Sequence, residues 1–428
     1  MTGSIDVRKK ARGIARRAAG RTQRLLRRSA LLLLRLAYAL RGGGRREERL
    51  RVRILLQYAY GMGGTIRTAL NLAGHLAQRY DVEVVGVVRT RERPFFEFPP
   101  GVKIIDVHDQ TAEAGRLERL VSRIPSVLTP RRDVTAPGVN LWTDLKTARM
   151  LLSGRPDVLI GTKPVHNMLI AEVAPRSVVT IGQDHMNLTA YKPWLRAGII
   201  RSYPRLSLLT VLTEASVDDF GALLDGGGPR IEQVPNAIPL LNGGRADTDR
   251  KVIITAGRLT RQKGYDMLIR AYADVASAHP DWSLRIFGSG RERAKLAKMI
   301  ADRGLEGTVE LRGPSDDLGS ELAQASVCVL SSRYEGMPMV VLEAMSKGLP
   351  VVAFDCPTGP AELIDHGENG LLVPPKDVPG LAAALRKVIE DDELRRRLGE
   401  RALRSATAYA LPEIGARWEA LIDELTRR

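Results

Sequence analysis

At 428 residues, with 44% hydrophobic and 27% charged, the chain is too long for one ordinary core and too apolar for a disordered polymer. The formal net charge is +16, but the first 50 residues alone carry 15 Lys and Arg against three acids, so the remainder is close to neutral; with only 5% aromatics, this distribution argues against a nucleic-acid-binding fold. Cys328 and Cys356 lack metal-ligand spacing and read as small packing residues in a reducing compartment, not as a disulfide scaffold.

Residues 1–50 read as a basic amphipathic segment. Arg and Lys recur from Arg8 to Arg28, and the apolar run from Ala30 to Leu40 is interrupted by Arg35. That run is far short of the roughly 20 apolar residues a bilayer span needs. The basic part is too long, and the small-residue cleavage pattern too poor, for a secretory signal. The segment is therefore expected to lie on an anionic membrane surface, with leucines dipping in and arginines meeting lipid phosphates. A disordered basic tail and a nucleic-acid arm are the plainer alternatives. Gly42-Gly43-Gly44 reads as the hinge to the folded part.

From Val52 onward, short Val/Ile-rich runs alternate with helical patterns, the signature of parallel sheets covered on both faces. Strands are expected near 52–56, 82–88, 158–160, 178–181 and 208–212, with a glycine turn at Gly61-Met62-Gly63-Gly64 and a helix from Thr65 to Gln78. Turn-rich segments around 226–229 and 242–247 mark a linker zone, after which strands restart near 252–257, 284–288, 309–311, 327–330 and 351–354. The expected organisation is an N-terminal extension at 1–50, a Rossmann-like domain over 51–240, a second over 241–410, and a helix at 411–428 packing back on the first. Ligands of such sheets bind beyond the carboxyl ends of the strands, so two facing sheets would share an interdomain cleft.

In the second domain four features converge on one ligand. Gly257-Arg258 follows a strand and Lys263-Gly264 comes shortly after, which would place a guanidinium fork and an ammonium where a diphosphate could sit. For an isolated pair, two exposed loop cations is the plainer reading. Gly288-Ser289-Gly290 follows another strand, and small residues there let a ligand approach the backbone. Glu335-Gly336-Met337-Pro338 follows the strand at 327–330; Pro338 suits a first helical turn, and Gly336 and Met337 would offer N–H groups to an anion. Glu343 is expected on the same helix, six steps and about 9 Å beyond Met337, placed to accept from ribose hydroxyls. Glu335 would reach the sugar beyond the phosphates. In the first domain, His185 in Gln183-Asp184-His185 follows a strand and faces the cleft; a structural histidine is the alternative. Asp184 would orient the imidazole or face water, and Lys163 and His166 would line an acceptor side.

The run Arg333 to Val352, with Glu335 and Glu343 as its paired acids, resembles the E-x7-E block of glycosyltransferase family 4, the large retaining GT-B family. Gly257-Arg258-Leu259 with Lys263-Gly264 is similar to that family's G-R-x-x-x-x-K-G block, and Asn369-Gly370-Leu371-Leu372-Val373 to its N-G-L-L-V block. The resemblance is close over 230–405, looser over 51–230 and absent from 1–50. It implies a GT-B fold, a nucleotide-sugar donor, and no metal or other cofactor. It also implies retention at the anomeric carbon by front-face attack. Carried over, Arg258 and Lys263 bind the donor diphosphate, Glu343 the ribose and Glu335 the transferred sugar. Gly63-Gly64 resembles the family's Gly-rich loop near the diphosphate, and His185 its cleft histidine on the donor sugar. Asp355 to Pro360 resembles members that act on cell-surface polymers. The expected acceptor is a lipid-linked or cell-surface glycan, and the expected location the cytoplasmic face of the cell membrane. A non-catalytic sugar-nucleotide binder or membrane scaffold of the same fold remains the alternative, and its sign would be loss of a phosphate cation or of Glu335. A nucleotide-dependent oxidoreductase is disfavoured because the first domain lacks a G-x-G-x-x-G followed by an acid.

Overall fold

The computed structural model describes residues 23, 25–40, 49–129 and 138–427. The Gly42-Gly43-Gly44 hinge and the basic stretch from Arg8 to Arg21 lie outside them. The first sheet contains β1 (Arg51–Leu56), β2 (Asp81–Arg89), β3 (Lys103–Asp109), β4 (Val158–Gly161), β5 (Val179–Asp184), β6 (Leu208–Val211) and β7 (Arg230–Gln233). Its order is β3-β2-β1-β4-β5-β6-β7 and every pairing is parallel. The second contains β8 (Val252–Ala256), β9 (Ser283–Phe287), β10 (Val309–Gly313), β11 (Val327–Leu330), β12 (Val351–Phe354) and β13 (Gly370–Val373). It runs β10-β9-β8-β11-β12-β13, again all parallel. The chain therefore has the GT-B arrangement, two Rossmann-like units side by side. Chain order reverses between β1 and β4 in one sheet and between β8 and β11 in the other, which is where such sheets open a crevice.

The central strands are apolar because helices cover both faces; β4, β6, β11 and β12 are buried at every position. Three strands, β3, β7 and β13, lie outside the sequence expectation, and each is a sheet edge. β7, Arg-Ile-Glu-Gln, has no buried residue, so no apolar run announces it. Arg53 interrupts β1 yet is 2% exposed, because Glu83 on β2 accepts from it at 2.6 Å and the carbonyls of Met150 and Ser153 take its remaining donors.

The final helix, Leu411–Thr426, lies against the Gly64–Leu76 helix of the first unit. Trp418 is buried in that unit's core, His75 pairs with Glu419 at 2.9 Å and the Tyr80 hydroxyl donates to Asp423 at 2.9 Å. A second tie runs the other way: Glu362 accepts from the backbone N–H groups of Glu214 and Ala215 at 3.0 and 3.3 Å, closing the start of the first unit's Glu214–Leu224 helix.

The basic N-terminal segment does not stand apart from the fold in its described part. Residues 25–40 form a helix whose Leu31, Leu34 and Tyr38 are buried in the core around β1, β4 and β6. Arg27 pairs with Glu172 at 3.0 Å, and Arg155 donates to the Tyr38 carbonyl at 3.0 Å. The first unit's packing therefore begins before residue 51. A stripe at 27, 31, 34 and 38 recurs every three to four residues and presents one face of the helix to the sheet unit.

Candidate active site

Loops at the carboxyl ends of β1, β2, β5, β8, β9, β10 and β11 enclose a cleft of about 300 Å³ between the two units. Gly63, Gly64, His185, Gly257, Arg258, Lys263, Gly288, Glu335, Gly336, Met337 and Glu343 all line it. The two units touch at its floor. A Cβ added to Gly336 would lie 2.2 Å from the His185 carbonyl oxygen, so only glycine fits there.

Lys263 ends a single helical turn, Arg261–Lys263, and is followed by Gly264 in the left-handed region at φ 68°. A Cβ on Gly264 would sit 2.0 Å from the Ser331 carbonyl, so glycine is what lets the loop after β8 press on the end of β11. That contact delivers the ammonium: Lys263 Nζ donates to Glu335 Oε1 at 2.6 Å, and the Ser332 hydroxyl reaches the same carboxylate. Glu335 is buried; Arg258 is exposed on the cleft wall. Lysine has three donors, so the Glu335 bond leaves Nζ capacity for a phosphate oxygen.

Glu343 sits within the Met339–Met345 helix and is 5% exposed. Burial pushes its carboxyl above the ordinary value, while the charges of Arg67 and Lys263 pull it down. Arg67, from the helix after Gly63-Gly64, donates to Glu343 Oε1 at 3.2 Å and lies 5.5 Å from the Phe96 ring centre. This ion pair crosses the cleft from one unit to the other.

His185 is half-buried, but both of its ring nitrogens are shut off from solvent and meet no hydrogen-bond partner among the described residues. Burial lowers its pKa to about 4, so the imidazole is neutral near pH 7, with one donor and one acceptor. Asp184 neither orients it nor faces water. Asp184 accepts from the hydroxyls of Tyr191 and Tyr203 and from the Met186 N–H, and burial raises its pKa to about 6. Its place is a buried knot beneath the strand end.

Several expectations need correction. Pro338 does not line the cleft; it is the residue before the helix, at ψ 95°, and the first turn starts at Met339. The six-step helical spacing from Met337 to Glu343 therefore does not exist, because Gly336 and Met337 precede the helix. Gly288 lines the cleft as expected, but at φ 139° a Cβ there would lie 1.9 Å from the Gly257 carbonyl, so the neighbouring loop by itself already requires glycine. Lys163 and His166 are not among the cleft's lining residues. They open the Pro164–Val173 helix against β1, with His166 Nδ1 3.3 Å from the Leu55 carbonyl and Lys163 Nζ 3.5 Å from Gln57.

Sequence reasoning missed Arg67, Phe96 and Asn236. The buried Asn236 side-chain oxygen lacks a partner among the described residues, and it lines the cleft from the linker. Arg67 had one available signal: it lies three residues after Gly64, one turn into the helix that the glycine turn opens.

Residues 241–405 match the family model described as glycosyl transferases group 1. Among curated proteins, an exopolysaccharide phosphotransferase of Streptomyces coelicolor is 37% identical over 395 residues, covering 89% of this chain. The chain spans 41% of that relative's length. An uncharacterised glycosyltransferase of Haemophilus influenzae is 25% identical over 84% of this chain and 96% of its own length. Among solved structures, a TarM variant of S. aureus in complex with fondaparinux, alpha-GlcNAc-glycerol and UDP superposes with a TM-score of 0.71 at 17% identity. That likeness covers 87% of this chain and 99% of the other, and it shows the shared GT-B fold.

Proposed function

We propose that the chain is a retaining glycosyltransferase that moves a sugar, a hexose in the first instance, from a nucleotide-sugar donor to a lipid-linked or cell-surface glycan or polymer. The observation that carries this reading is the convergence, in one interdomain cleft, of two cations, two buried carboxylates and an unpartnered neutral histidine. The UDP and alpha-GlcNAc-glycerol held by the TarM variant, and the exopolysaccharide named for the Streptomyces relative, favour a polymer acceptor.

In this mechanism negative charge grows on the leaving diphosphate as the anomeric bond breaks. Arg258 from the cleft wall and Lys263, held by Glu335, stabilise it in the role that a metal fills elsewhere. Glu343 accepts from the ribose hydroxyls, with Arg67 sharing or yielding that carboxylate. Glu335 and His185 grip the transferred sugar, the carboxylate as an acceptor and the imidazole as donor or acceptor. The acceptor hydroxyl attacks from the face the leaving group departs, and the leaving phosphate takes its proton. Gly63 and Gly64 leave room for donor or acceptor: no atom lies within 4 Å of a Cβ on Gly63, and only Met339 comes within 4 Å of one on Gly64. The basic N-terminus holds the enzyme at an anionic membrane, at its cytoplasmic face. No helix among the described residues is long and apolar enough to cross one.

The phosphotransferase name of the Streptomyces relative motivates one second reading, which we take as transfer of a sugar phosphate. The two differ in what leaves. Sugar transfer releases a nucleoside diphosphate, and sugar-phosphate transfer releases a nucleoside monophosphate. Incubating the protein with UDP- and GDP-sugars and polyprenyl-linked acceptors, and resolving the nucleotide released, tests both. Diphosphate with an unchanged anomeric configuration in the product is expected; monophosphate would establish the second reading, and no turnover with any donor would leave a binding protein.

A further inference from the structure

The helix at 25–40 has two apolar faces, and the fold uses only one. Leu31, Leu34 and Tyr38 pack into the first unit, with Arg27 clamped to Glu172 and to the Leu128 carbonyl. At 100° per residue, the opposite face carries Leu25, Leu26, Leu32, Leu33, Leu36 and Leu40, which are 51–83% exposed. Six neighbouring leucines form a patch on the order of several hundred Å², as large as the largest that soluble monomers ordinarily show. Arg28 and Arg35 border it along one side. Next to them, between this helix and Pro193–Ser202, lies a cavity of about 360 Å³ lined by Arg27, Arg28, Arg35, Arg201 and Arg205, whose one acid, Glu172, pairs with Arg27 at 3.0 Å and Arg201 at 3.4 Å and leaves the cavity four positive charges in excess.

Charge selects the occupant. A second copy would bring the same row of arginines against this one. Residues 1–24 add eight more Lys and Arg against a single acid, so self-association sets like charge on like. Nucleic acid would meet the arginines but leave the leucines in water. An anionic bilayer satisfies both, because acyl chains take the leucines while phosphates take the guanidinium groups. A 16-residue helix is about 24 Å long and bordered by arginines, so it lies in the interface plane.

We propose that this helix, clamped to the fold along one face, is a membrane-docking surface whose outward leucines enter one leaflet, and that the arginine-lined cavity beside it takes the phosphate of an anionic phospholipid headgroup. This deepens the reading of the basic N-terminus given above and rests on it. It also gives the folded part, through Arg201 and Arg205, a share in lipid recognition that a tail alone would not have, and it fixes the orientation of the first unit on the membrane.

The test is co-sedimentation of the full chain with vesicles of phosphatidylcholine alone or of equimolar phosphatidylcholine and phosphatidylglycerol. UDP-sugar binding serves as the fold control, since none of these residues lines the cleft. The double variant Arg201→Ala, Arg205→Ala is expected to bind the phosphatidylglycerol vesicles roughly thirtyfold more weakly, at about fivefold per surface charge. Arg201→Lys, Arg205→Lys is expected to keep most of the preference. Leu33→Ser, Leu36→Ser is expected to lose binding to both vesicles. An undiminished phosphatidylglycerol preference in the alanine variant would overturn the headgroup site while leaving the membrane reading standing. Wild-type protein that pellets with neither vesicle, and instead dimerises through Leu33 and Leu36 in light scattering, would overturn both.

Discussion

Lys263 and Arg258 carry the charge argument, and they differ in what each does for folding. Replacing either by Ala is expected to lower kcat by roughly 10²–10³-fold, the usual cost of losing one donor at a developing anion; the exposed Arg258→Ala should keep the wild-type melting curve, whereas Lys263→Ala strips the buried Glu335 of its ion-pair partner and should melt lower while still folded. Turnover within a few fold of wild type in a folded variant would remove that residue from the mechanism. Arg67 makes a different prediction because it holds down the pKa of buried Glu343. Without it the carboxyl rises further, and the ionised form proposed to accept from ribose is lost at a higher pH. In Arg67→Ala, the acid-side fall in nucleotide affinity should therefore move to higher pH, read by calorimetric titration with the nucleoside diphosphate across pH. His185 is legible in stability. Its folded pKa of about 4 lies below the unfolded value, so folding is opposed increasingly as pH falls from about 6.5 to 4. His185→Gln should gain on wild type by up to ~3 kcal/mol between pH 7 and pH 4 in urea melts; parallel curves would mean the imidazole is solvated. The sequence exposed Arg258, Lys263 and Glu335 as cleft residues because they sit in loops with glycines beside strand ends. Arg67 was hidden because its role depends on a carboxylate 276 positions away.

At the scale of elements, the glycines divide by what surrounds them. Gly336 faces the His185 carbonyl and Gly288 the Gly257 carbonyl, so alanine at either is expected to displace a loop and lower stability. Gly63 has open space around it, so Gly63→Ala is expected to melt like wild type yet bind nucleotide sugar more weakly. A Gly63→Ala protein of full affinity would show that nothing approaches that turn. The last helix allows a similar comparison. Trp418 is 1% exposed and anchors Leu411–Thr426 to the first unit, so Trp418→Ala should cost about 3–5 kcal/mol in chemical denaturation. Central strands were readable as runs of Val and Ile, but β3 and β7 were not, because an edge strand is covered less and needs no such run. The helix at 25–40 was readable as amphipathic; that one apolar stripe is consumed by the fold and a second left outward follows only from where Leu31 and Leu34 pack.

For the whole molecule, the proposed function depends on two units meeting over one ligand. The cleft is already crossed by Arg67–Glu343, by Gly336 against His185 and, near its back, by Glu362 on the Glu214–Leu224 helix. A donor that contacts both units should stabilise them together, by about 2.7 kcal/mol at a hundredfold excess over Kd, as a single upward shift of one thermal transition. The most direct measurement is a structure with the nucleoside diphosphate that gives this shift. The account predicts its β-phosphate within hydrogen-bond reach of both Arg258 and Lys263, and its ribose hydroxyls on Glu343. A nucleotide bound in the cleft with its phosphates away from those two cations, or bound outside the cleft altogether, would contradict it.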